Sequence, residues 1–162
     1  MTVLSRTADT NSTKTRSNAD EALFTIGYEK RSVDEYISLL LANDVALVID
    51  VRKNPLSRKK GFSKKALANS LSHVGISYRH MPELGIDSSL RKNLKDRDDY
   101  DQLFVHYTSN ILPDNAEAMG TVQVLIERFG RVALTCFELD PYCCHRQFVS
   151  QAFVGRVEIT HL

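Results

Sequence analysis

Two short and almost unbroken apolar runs constrain this chain most: Val45-Ala46-Leu47-Val48-Ile49-Asp50-Val51 and Val132-Ala133-Leu134-Thr135-Cys136-Phe137. A strand with one wet face alternates apolar and polar residues. A run apolar throughout is the pattern of a strand covered on both faces by helices, as in a parallel sheet. Helical periodicity supplies the covers. Ser32-Val33-Asp34-Glu35 has the spacing of a capping box, and Val33, Tyr36, Ile37, Leu40 and Leu41 then repeat along one face until Asn43. Leu67, Leu71 and Val74 mark a second helix closed by Gly75. Met119, Val122, Leu125, Ile126 and Phe129 mark a later one closed by Gly130. Further strands are expected at 24–28, 76–80 and 157–162, with a helix from about 144 to 154 and an irregular or helical excursion between 84 and 113. Alternation of strands and helices predicts an α/β fold: a three-layer, Rossmann-like domain with a mainly parallel sheet and helices on both faces.

The length of 162 residues suits one domain, with 43% hydrophobic and 25% charged residues excluding a largely disordered chain. Residues 1–20, rich in Ser, Thr and Asn, read as a flexible tail, and 21–162 as the domain. No apolar run approaches the roughly 20 residues that span a bilayer. No membrane partner is therefore expected, and the N-terminus lacks the apolar stretch of a secretory signal. Three cysteines, two of them adjacent, do not form a disulfide framework, which favours a reducing, cytoplasmic setting. The net charge is only +1, yet Arg52, Lys53, Arg58, Lys59, Lys60, Lys64 and Lys65 fall in one stretch without an acid. Such local excess suggests an anionic partner.

In open α/β sheets ligands bind beyond the carboxyl ends of the strands. Those ends carry Gly27-Tyr28-Glu29, Asp50-Val51-Arg52, Pro82-Glu83-Leu84-Gly85 and Cys136-Phe137-Glu138. At these places the chain resembles the domain-of-unknown-function 488 family. The resemblance runs through Thr25-Ile26-Gly27-Tyr28, Asp50-Val51-Arg52 with Pro55, Ser57 and Arg58, Pro82-Glu83-Leu84-Gly85, Cys136-Phe137-Glu138 with Asp140-Pro141 and Cys144-His145-Arg146, and the closing Thr160-His161-Leu162. It spans about residues 23 to 162. It implies a compact α/β fold and marks these positions as the shared site, while supplying no substrate.

The residues themselves suggest chemistry. Arg52, Ser57, Arg58 and Arg146 are suited to bidentate capture of phosphate or carboxylate, the alternative being that Asp50, Glu138 or Asp140 simply pairs with the arginines. Cys144, at the expected start of a helix and beside His145 and Arg146, is a candidate reactive thiolate. Cys136 reads either as a core residue or as a site thiol. Glu83, Glu138 and Asp140 are candidate acid/base groups, His145 a candidate base or a packing residue, and Tyr28 a candidate stacking platform. A phosphatase-like loop would need arginine at 142 or 150, where Tyr142 and Ser150 stand. Cys136, Cys143, Cys144 and His145 are the right types for zinc, but three consecutive residues point in different directions and the paired Cys-x-x-Cys spacing is missing, so no metal is expected. Neither a P-loop nor a Gly-x-Gly-x-x-Gly turn is present, and no cofactor is implied. The expected function is an enzyme acting on a phosphate-containing substrate, a nucleotide or nucleic acid, at the carboxyl edge of the sheet. Glu138, Cys144, His145 and Cys136 are its catalytic candidates, and Arg52, Ser57, Arg58, Arg146, Tyr28 and Glu83 its binding candidates. The rival is a non-catalytic nucleic-acid-binding module using the basic stretch.

Overall fold

The computed structural model describes residues 20–162, so all of the tail expected at 1–20 except Asp20 lies outside the described residues. Five parallel strands form one sheet in the order β3-β2-β4-β1-β5: β1 (Ala22–Gly27), β2 (Leu47–Asp50), β3 (Ser77–His80), β4 (Arg131–Cys136) and β5 (Glu158–His161). The α/β expectation holds, with helices on both sides. The two apolar runs lie side by side at its centre, where Val48 pairs with Ala133 and Ile49 with Leu134. Their side chains alternate between two cores because successive residues of a strand face opposite ways.

One core gathers Phe24, Ile26, Val48 and Ala133 under α1 (Val33–Ala42) and α2 (Lys64–His73), which bury Tyr36, Leu40, Leu67 and Leu71. The other gathers Leu23, Ile49, Val132 and Leu134 under α3 (Arg97–His106), α5 (Ala116–Phe129) and α6 (Arg146–Gln151). Each fully buried large side chain contributes about 1.5–3 kcal/mol of transfer free energy. The expected capping box opens α1: Ser32 Oγ accepts from the Glu35 amide at 3.2 Å and Glu35 Oε2 accepts from the Ser32 amide at 2.7 Å. The 84–113 excursion is largely helical. Asp96 caps α3 through the Asp99 amide at 3.0 Å, and a π-turn (Tyr107–Ile111) leads into the short α4 (Leu112–Asp114). No described helix is long and apolar enough to cross a membrane.

The connections after β1 and β2 run to the α1/α2 face, whereas β4, lying between those strands, feeds α6 on the opposite face. Neighbouring strand ends therefore part in opposite directions beside β4. A crevice opens at such a switch point, outside the carboxyl ends.

Two glycines let loops close over it. A Cβ on Gly27 would stand 1.8 Å from the Glu138 carbonyl oxygen, and one on Gly85 would stand 2.2 Å from the Lys53 amide nitrogen. The loop after β4 thus crosses β1 against bare backbone, and the segment after β3 meets the loop after β2 in the same way. The chain's end packs beside β1, where the Leu162 amide donates to the Thr25 carbonyl at 2.8 Å and Thr25 Oγ1 lies 2.7 Å from His161 Nδ1.

Candidate functional site

The crevice is a cleft of about 570 Å³, in the range of small-ligand sites. Three strand ends build it: Tyr28 follows β1, Arg52 to Asn54 and Leu56 to Lys59 follow β2, and Cys136 closes β4 with Phe137 just after it. Arg52, Lys53, Arg58, Lys59 and Arg91 line it, and none of its lining residues is an Asp or Glu. Tyr28, Leu56, Ile86 and Phe137 give it an apolar side, with Phe137 44% exposed and set edge-on to Tyr28 at 5.4 Å.

The five cations differ in how free they are. Arg52 is buried and gives Nε and Nη2 to Asp50 at 2.8 and 2.5 Å, while its Nη1 donates to the Tyr28 hydroxyl and the Phe62 carbonyl, both at 2.8 Å. Burial works against its charge, but the Asp50 carboxylate and the Tyr28 hydroxyl outweigh it and hold the guanidinium above its usual value. Arg52 braces the loop more than it offers a fork. Lys59 donates to the Tyr28 carbonyl at 3.1 Å and lies over the Phe62 ring. Lys53 and Arg58 are exposed, with no hydrogen bond or ion pair to any described residue. Lys53 acts only through space on the Asp87 carboxylate, so these two are the cleft's least committed cations.

The floor is a sulfur and imidazole cluster. Ligand atoms of Cys136, Cys144 and His145 all lie within 4.8 Å of one another. Cys136 closes β4 and reaches the cleft, while Cys144 is fully buried behind it. Of the two thiols, only Cys136 lines the cleft. Hydrogen bonding to Cys144 and burial push the Cys136 thiol well above its usual value. For Cys144 burial acts upward too, but the hydrogen bond from Cys136 and the His145 and Arg146 side chains outweigh it and hold the thiol well below its usual value. His145 and Arg146 are the neighbours expected from sequence to lower this thiol, whereas the expected helix terminus is not at Cys144, since α6 begins only at Arg146 and is six residues long.

His145 is buried, its Nε2 lying 3.0 Å from the Val51 carbonyl oxygen and its Nδ1 3.0 Å from Arg91 Nη2. Arg91 Nη1 also pairs with Glu138 Oε1 at 3.0 Å, and Glu138 Oε2 accepts from Cys136 Sγ at 3.4 Å. Burial first, then the charge on Cys144, raises the Glu138 carboxyl above its usual value against the pull of Arg91. The result is a continuous chain of contacts from Glu138 to the imidazole and both sulfurs.

The structure brings Arg52, Ser57, Arg58, Cys136 and His145 to the cleft wall, with Glu138 and Cys144 just behind, whereas Tyr28 reaches the wall with its ring buried and stacked on Phe62 at 4.4 Å and so is not the stacking platform expected from sequence. It does not bring Arg146 or Glu83 there. Arg146 is fully buried and gives Nη1 and Nη2 to the Glu138 and Leu139 carbonyls at 2.6 and 3.1 Å, so its fork closes the β4 loop and leaves no face for an anion. Glu83 lines a separate depression with Arg79, His80, Asp114 and Glu117. Its backbone follows β3 toward the cleft, but the side chain leaves the other way. Asp140 is exposed and caps the turn at Pro141–Cys143 through the Tyr142 amide at 2.8 Å.

Arg91 is the participant sequence reasoning missed. It ends a short turn (Ser88–Arg91) inside the charged excursion, where nothing but its distance past the Pro82-Glu83-Leu84-Gly85 segment sets it apart from Lys92 or Lys95. Lys59 belongs to the basic stretch that the sequence marks for an anionic partner. It precedes α2 and reaches the cleft.

The sequence model of one protein family, described as a domain of unknown function, DUF488, matches residues 32–153, most of the chain. No curated protein and no solved structure matches it.

Proposed function

The chain belongs to the family described as domain of unknown function DUF488, a description that names no reaction, and from the cleft itself we propose an enzyme acting on a phosphate-containing substrate of the nucleotide or nucleic-acid class. One observation carries this reading: a cleft lined by five cationic side chains and no acid lies directly over a thiol and imidazole floor. Lys53 and Arg58 engage the phosphate, with Ser57 and Lys59 beside them. Guanidinium and ammonium groups bind such oxygens by charge-assisted hydrogen bonds. Phe137, exposed at the rim, is placed to stack on a base. Cys136, His145 and, behind them, Glu138 and Cys144 are the groups that act on the substrate, because the floor is where ionisable side chains meet the cleft.

Calorimetric titration with inorganic phosphate and with a nucleoside monophosphate tests the binding half. The paired replacement Lys53→Gln and Arg58→Gln is expected to weaken both ligands by about 10-fold or more, since charged hydrogen bonds contribute about 1.5–3 kcal/mol each. Phe137→Ala is expected to weaken the nucleotide alone, by about 1–3 kcal/mol, the range for a base on an aromatic ring. Unchanged affinities in both variants would remove the cleft from the account.

For the catalytic half, Cys136→Ser and Glu138→Gln are each expected to lower turnover at least about 100-fold, the usual scale for a positioned proton-transfer or charge-stabilising group. Near-unchanged unfolding midpoints would separate this loss from misfolding. Full turnover in both variants would contradict it.

The non-catalytic alternative rests on Lys60, Lys64 and Lys65, exposed beyond the cleft. If those three bind nucleic acid by themselves, neutralising them abolishes binding and flattens its salt dependence, with Cys136 irrelevant.

A further inference from the structure

We propose that Cys136, Cys144 and His145 form a binding site for a soft divalent cation of the zinc class, with its remaining coordination position open toward the cleft. The site does not depend on the phosphate reading, and each can fail without the other.

The chain path answers the objection that consecutive residues cannot converge. Cys143 is exposed and turned to Asp140, at 3.7 Å, and so drops out. Cys144 is extended (φ −133°, ψ 142°) and His145 helical (φ −62°, ψ −19°), and this change of conformation turns both side chains inward. Cys136 arrives from the end of β4. Two sulfurs and one ring nitrogen, all on buried residues, then lie within 4.8 Å of one another. Tetrahedral coordination at about 2.3 Å to sulfur and about 2.0 Å to nitrogen places such donors roughly 3.5–4 Å apart. The distance of 3.9 Å between Cys144 Sγ and His145 Nδ1 already meets that spacing.

The surroundings are those of a supported site. A carbonyl oxygen only accepts, so the contact to Val51 places the ring proton on Nε2 and leaves Nδ1 bare toward Cys144. Metal-binding histidines are commonly oriented by such a backbone carbonyl on the other nitrogen. Glu138, 3.4 Å from Cys136 Sγ, supplies a carboxylate at the margin. The Arg91 guanidinium touches the cluster directly, 3.0 Å from Nδ1 on a side chain one-third exposed. It occupies the side on which an ion would enter. Swinging Nη2 away frees Nδ1 while Nη1 keeps its ion pair with Glu138.

Cobalt(II) added to the chelator-treated, reduced full-length chain is the probe. Expected are about one equivalent bound per chain and the visible bands and sulfur-to-metal charge transfer of tetrahedral thiolate coordination, reversed by zinc. Cys136→Ser and Cys144→Ser should each weaken cobalt by more than about 100-fold, beyond the roughly 10–100-fold cost of losing an outer partner. Cys143→Ser should change nothing, and the Lys53→Gln, Arg58→Gln protein should still bind. X-ray absorption on the wild-type complex reads the ligand set independently of any variant: two sulfurs and a nitrogen support the site. Absence of stoichiometric cobalt, a shell without sulfur, or a spectrum lost with Cys143→Ser would overturn it.

Discussion

Gly27→Ala is expected to cost more than about 3 kcal/mol or to yield no folded protein, although it adds a single methyl group. That methyl would lie 1.8 Å from the Glu138 carbonyl oxygen and 2.5 Å from its carbon. Backbone cannot rotate aside as a long side chain does. The oxygen is also pinned: Arg146 Nη1 donates to it at 2.6 Å, and the Glu29 amide bonds the neighbouring Phe137 carbonyl at 2.8 Å. Relief therefore requires the β4 loop to lift away, which strands the buried Arg146 and opens the floor beneath Cys136. Gly120→Ala is the control, because its added methyl meets nothing within 4 Å and it lies within α5. There the change should be neutral or stabilising by up to about 1 kcal/mol. Urea unfolding of the two variants reads the contrast, and similar midpoints would show that the loop does not approach β1 so closely.

Asp50→Ala is expected to destabilise by about 3–5 kcal/mol, the cost of stranding a buried charge. The Asp50 carboxylate is fully buried and accepts from the Arg52 amide at 3.1 Å, from two guanidinium nitrogens, and from the Tyr78 hydroxyl at 2.5 Å. Without it the guanidinium keeps only Tyr28 and the Phe62 carbonyl, at 5% residue exposure. Tyr78→Phe removes one hydroxyl donor and should cost about 1 kcal/mol. If Asp50→Ala unfolded no earlier than Tyr78→Phe, the carboxylate would not be the counter-charge that holds Arg52.

These two sites show how far the chain could be read before its structure was seen. The apolar runs at 45–51 and 132–137 pointed to two strands covered on both faces, though not to their pairing, and Ser32 with Glu35 marked the start of α1, because both signals are local and each follows directly from periodicity or capping. The four motif-bearing segments were also legible as a group. Their individual roles were not. Arg52 and Arg146 carry the chemistry of anion forks, yet one is spent on Asp50 and the other on two carbonyls of the β4 loop. Glu83 follows a strand end, but its side chain faces another depression. Position along a strand tells which edge a residue reaches, and side-chain direction depends on loops that cross from distant segments. Gly27 and Gly85 mark those crossings, and a sequence shows such a glycine without showing what passes over it.

The cleft's place in the fold gives the functional reading its coherence. A parallel sheet whose connections change sides at β4 leaves a crevice, glycines admit the loops that wall it, and Arg52 and Arg146 stiffen those loops from within. Lys53 and Arg58 take no part in the close ion pairs that hold the fold.

Backbone amide shifts on titrating the labelled full-length chain with a nucleoside monophosphate locate any phosphate site in the cleft. Saturable changes are expected, concentrated at residues 53–59, at Arg91 and at Phe137, and reduced when Lys53 and Arg58 are both replaced by glutamine. No saturable change at low salt, or changes confined to the depression around Arg79 and Glu83, would contradict a phosphate site in the cleft.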